Sequence, residues 1–121
     1  MTLSLEDAFD LFSSWKKDSL KVRVDLTAGK PGRPDNPLPI RAHLTGSVIA
    51  VDPSNAPGTV TVQGDNCGLE LDLRGCRFSR RKPRDPPEFG GPAFAAQFET
   101  ALAVVLPTGE YFLFLAFARG N

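Results

Sequence analysis

The sequence predicts a mainly β domain, in which one N-terminal helix precedes a small antiparallel, strongly bent open barrel of about six strands. Three observations carry this expectation. Apolar residues recur at helical spacing only near the N-terminus, and from Leu20 the period drops from 3.6 to 2. Short alternating or β-branched runs then follow one another between Gly- and Pro-rich turns, the pattern of a strand meander. At 121 residues, 41% hydrophobic and 23% charged, the chain has the size and composition of one soluble domain, 1–121, with a single core.

The helix is expected over residues 4–17. Ser4 followed three residues later by Asp7 is a Ser-x-x-acid start, and Leu5, Ala8, Phe9, Phe12 and Trp15 form a stripe that docks on the sheet. The barrel core is expected over 20–79. LKVRVDL sets Leu20, Val22, Val24 and Leu26 against Lys21, Arg23 and Asp25, and AGKPGRPDNPLP is too rich in Gly and Pro to pair, so it reads as a long connection. IRAHLTGSVIAVD sets Ile40, Ala42, Leu44, Gly46, Val48 and Ala50 on one face and Arg41, His43, Thr45, Ser47, Ile49 and Val51 on the other. Gly46 stands where strands bend or bulge. The turn DPSNAPG, the strand TVTVQ, the turn GDNCG and the strand LELDL follow. Residues 80–92 read as a Pro-rich loop, and 93–118 as a C-terminal hairpin turning at Thr108-Gly109. Its last strand, YFLFLAF, is apolar on both faces. It therefore needs cover twice, from the barrel interior and from the helix or another subunit.

Catalysis is not expected. His43 is the only histidine and lies among Arg41, Thr45 and Ser47, as a rim residue would. Glu70 and Asp72 alternate with Leu69, Leu71 and Leu73, as the solvent face of an amphipathic strand does. One histidine and the two thiols of Cys67 and Cys76 do not make a zinc site, and no glycine-rich loop links a strand to a helix, so no cofactor is expected. Two cysteines, an acidic first turn and no apolar run near the ~20 residues of a membrane span lead to an expected cytoplasmic, non-membrane protein. Heavy use of Ala, Arg, Pro and Gly points to a GC-rich bacterial genome.

Fourteen basic and fourteen acidic residues cancel, so any polyanion site must be local. Arg74, Arg77, Arg80, Arg81, Lys82 and Arg84 make such a patch, able to grip phosphates or simply to keep a loop solvated. RRKPRDP, within the same stretch, also matches the basic-x-x-Pro-x-x-Pro pattern of SH3 ligands.

The order of elements resembles the Sm/LSm-like family of small SH3-like barrels. Gly46-x-Val48-x-x-x-Asp52 resembles that family's first motif and Leu73-Arg74-Gly75-x-x-Phe78 its second, over about residues 4–79. The resemblance implies a bent open barrel behind a helix, homo-oligomers joined edge to edge, and single-stranded RNA held where Asp52, Arg74 and Gly75 meet. Pro53-Ser54 supply no aromatic platform there, and 93–118 would contribute a displaced fifth strand plus an extra one. Two readings follow. One is a non-catalytic module binding single-stranded RNA through Asp52, Arg74, Gly75, Arg77, Arg80 and Arg81. The other is a structural or protein-interaction domain that self-associates through YFLFLAF.

Overall fold

The computed structural model describes residues 2–28, 40–52, 58–81 and 96–118. The connection 29–39, most of the turn after Asp52, and residues 82–95, which hold Lys82, Arg84, the last five residues of RRKPRDP and the start of the expected hairpin, lie outside the described residues. Of Ala28, Ile40, Arg41 and Asp52 only the backbone is described.

Helix α1 spans Leu5–Lys17. Ser4 caps it: its hydroxyl accepts from the Asp7 N–H at 3.1 Å, and the Asp7 carboxylate accepts from the Ser4 N–H at 3.3 Å. The helix ends in a Schellman pattern, with the Ser19 N–H donating to the Lys16 carbonyl and the Leu20 N–H to the Trp15 carbonyl. Ser19 takes a positive φ of 53° where glycine is usual. Ala8, Phe9, Phe12 and Trp15 are buried as expected. Leu5 is not: at the first helical position it stands clear of the sheet and is 38% exposed.

Among the described residues eight strands make one antiparallel sheet: β1 Thr2–Leu3, β2 Lys21–Ala28, β3 Ile40–Asp52, β4 Thr59–Gly64, β5 Gly68–Asp72, β6 Arg77–Arg81, β7 Phe98–Val105 and β8 Tyr111–Phe117. Their order is β1-β6-β7-β8-β2-β3-β4-β5. Strands β1 and β6 raise the expected count of six. Thr2–Leu3 is too short to show a period, and RFSRR carries only one inward apolar residue, Phe78, so its last two residues read as the start of the Pro-rich loop.

Topology alone requires the sheet to curl. Strands β5 and β6 stand six places apart in the sheet order, which in a flat sheet is ~29 Å. Residues 73–76 join them, and the five Cα steps from Asp72 to Arg77 reach at most ~18 Å. The sheet therefore wraps around α1, which touches both β3 and β6. It does not close, since no ladder joins β5 to β1 among the described residues.

The concave side holds the main core of Phe9, Phe12, Trp15, Val22, Val24, Val60, Val62, Leu73, Phe78, Leu102, Val104, Phe112 and Phe114. Phe12 is its centre, edge-on to Trp15 at 5.5 Å and to Phe114 at 5.0 Å. Gly46 allows β3 and β4 to cross closely, because a Cβ there would lie 2.1 Å from the Gln63 carbonyl oxygen. The bulge itself falls two residues later, where Val48 pairs with Val62 and Ala50 with Thr61, leaving Ile49 unpaired and 51% exposed. This corrects the expected facing. Beyond the extra residue the alternation inverts, so Val51 joins the core and Ala50 is exposed.

The convex side carries a second cluster of Phe98, Ala101, Ala103, Leu113 and Leu115. The expected double cover of β8 is thus met differently. The helix and the concave interior lie on one and the same face, through Phe12 against Phe114, while Leu113 and Leu115 are buried in this second cluster. Strand β8 is also central, paired with β7 and β2.

Candidate nucleic-acid interface

The stretch from Asp72 to Arg81 is a corner followed by a basic strand. At the corner Leu73 turns inward and is fully buried, which anchors the chain as it leaves β5. The Asp72 carboxylate then shapes the turn. Its Oδ1 accepts from the Arg74 backbone N–H at 3.0 Å, and its two oxygens accept from Arg74 Nε at 3.3 Å and Nη2 at 3.1 Å. The side-chain hydrogen bond from Arg74, with its backbone N–H and charge, holds the Asp72 carboxyl below its ordinary value. Reciprocally, Asp72 raises Arg74.

Gly75 follows with a φ of +76°, a conformation glycine adopts without strain. A Cβ there would lie 3.2 Å from Pro107 Cγ, so the corner abuts the turn of the β7–β8 hairpin. The space that glycine opens is thus taken up by the protein's own hairpin. Cys76 closes the corner, its N–H donating to the Leu73 carbonyl at 3.3 Å. Burial, and then the Asp72 charge, push its thiol pKa up.

Strand β6 then alternates. Phe78 points into the core, while Arg77, Ser79 and Arg81 sit opposite Val105, Ala103 and Ala101 of β7 on the convex face. Arg80 is exposed. The Arg81 guanidinium lies over the Tyr111 ring, 5.8 Å from its centroid. Asp52 ends β3 opposite Thr59, which is in turn opposite Asp72, so one row across β3, β4 and β5 carries Asp52 and the acid that holds Arg74. Arg77, Arg80 and Arg81 belong to a strand four places from β3 in the sheet order.

The remaining polar candidates stand apart. His43 is exposed opposite Asp25, whose carboxylate is engaged by Arg23 at 3.1 Å. Cys67 and Cys76 are free thiols, one just before β5 and one just before β6, and Glu70 is exposed in the middle of β5. Among the described residues no three His, Cys, Asp or Glu side chains gather as a metal site, and no helix is long and apolar enough to cross a membrane. From alternation alone Asp72 reads as a solvent-face acid. The signal for its role was the Asp-x-Arg-Gly spacing, in which a short acid two residues before a turn residue caps that turn. No family model, curated protein or solved structure matches the chain.

Proposed function

We propose that this chain is a non-catalytic, Sm-like small-barrel module that binds single-stranded RNA along β6. The observation that carries the reading is the run of Arg77, Arg80 and Arg81 on one short strand, of which Arg77 and Arg80 are exposed. The described C-terminal strands also support the Sm-like reading, since β8 pairs beside β2 as a displaced fifth strand and β7 is the extra one. In this account the corner is a mount and the strand after it makes the phosphate contacts. Guanidinium groups suit that task because they donate forked hydrogen bonds to phosphate and stack on bases.

The roles separate by mutation. Arg77→Ala weakens RNA association at every sequence tested and lowers the salt slope of log K by about one. Arg74→Ala, which removes a guanidinium already paired, has the smaller effect. Equal or larger loss in Arg74→Ala, measured by anisotropy on the same oligonucleotide, would return the contact to the corner. Self-association through YFLFLAF has no comparable support, because β8 has both neighbours in place and Phe112 to Ala116 are all buried.

A further inference from the structure

Asp72 does two separate things at the corner. Its Oδ1 accepts from the Arg74 backbone N–H at 3.0 Å, which shapes the turn, and its two oxygens hold the Arg74 guanidinium through Nε at 3.3 Å and Nη2 at 3.1 Å. The turn needs only the first contact. The second occupies a guanidinium that the corner presents to solvent, for the Arg74 and Asp72 side chains are 57% and 45% exposed. An ion pair this open is weak, because water and salt screen it, so a phosphate oxygen can take the place of the carboxylate. Arg74 also stands three residues before the exposed Arg77, at most ~11 Å away between Cα atoms. A phosphodiester chain held at Arg77 thus has a second guanidinium close by, already carrying an anion.

We infer that Asp72 is an internal competitor for the RNA backbone: its carboxylate fills the Arg74 guanidinium in the place of a phosphate and so lowers the affinity of the β6 site. This rests on the RNA-binding reading of β6 and adds to it the residue that limits its strength. Carboxylate and phosphate suit the same guanidinium fork, since both accept two hydrogen bonds from it side by side. A phosphate that displaces Asp72 also leaves that acid unpaired next to its own charge, a like-charge contact that opposes binding further. Arg74 holds the Asp72 carboxyl below its ordinary value, so the acid is charged at neutral pH and the competition is permanent. Glu70 provides the comparison. It is exposed two residues earlier on the same face of β5, with no ion pair to an arginine among the described residues.

The test measures oligouridylate binding by anisotropy at low and at moderate salt. Asp72→Asn keeps an oxygen to accept from the Arg74 N–H but removes the charge. It should bind about 2- to 5-fold tighter than the wild type, the range set by an exposed ion pair, and steepen the salt slope of log K by up to about one. In an Arg74→Ala background the same substitution should change affinity by about 1.5-fold or less at moderate salt, and Glu70→Gln should do no more, since only screened charge is removed. Asp72→Ser, whose hydroxyl also accepts in such turns, repeats the measurement, and thermal unfolding checks the fold of each variant. The competitor is overturned, and the basic strand left standing, if both Asp72 variants bind no tighter than the wild type, gain as much without Arg74, or unfold. A Glu70→Gln gain equal to that of Asp72→Asn overturns it as well. A wild type that does not bind at low salt overturns both.

Discussion

The interaction between Asp72 and Arg74 decides how the corner should be read, because it converts an apparently available arginine into half of an exposed ion pair. Its consequence is measurable by pH. The folded carboxyl titrates below its unfolded value, so the clamp is fully present above the unfolded pKa and is lost as pH falls through the depressed folded one. A carboxyl-carbon NMR titration should place the Asp72 midpoint below the usual ~3.9, and Arg74→Ala should return it there. An ordinary midpoint in the wild type would mean that the clamp does not form in solution. Gly75→Ala meets a positive φ and Pro107 together and should cost about 1–2 kcal/mol in chemical denaturation. The corner's residues were legible in LDLRGCRF, but their partners were not. Asp72 is close in sequence and its role could be found from spacing, whereas Pro107 and Tyr111 reach the patch only through long-range pairing.

At the scale of elements, α1 was the most legible, since its stripe and its Ser4-Asp7 start are local signals. Its C-terminus was not, because Ser19 occupies the left-handed position without the glycine that normally announces it. Ser19→Gly should therefore raise stability, by up to about 1 kcal/mol, whereas Ser4→Ala should lower it by about 1 kcal/mol. Phe12→Ala, which empties the centre of the concave core, should cost about 3–5 kcal/mol. Thermal or urea unfolding ranks the three, and a Phe12→Ala loss no larger than that of Ser4→Ala would contradict the core described. Strand β3 shows where periodicity misleads: a single extra residue at Ile49 reverses the faces of Ala50 and Val51, and the bulge signal in IRAHLTGSVIAVD, Gly46, lies short of the slip. Strand β6 was missed for a different reason. Its convex face is arginine rather than apolar, so its pattern resembles that of a solvated loop.

For the whole molecule, a short corner joining two distant strands forces the sheet to curl around its helix, and the same corner sets the basic strand at the sheet's rim, beside the two-residue β1. The chain carries no net charge, so association with a polyanion depends on this local array and has little long-range steering to help it. The most direct test is an anisotropy titration of labelled single-stranded RNA with the purified protein at low and at moderate salt. Saturable binding that weakens steeply with salt is expected, with a slope reporting a few phosphate contacts. No binding at low salt, or binding indifferent to salt, would contradict it.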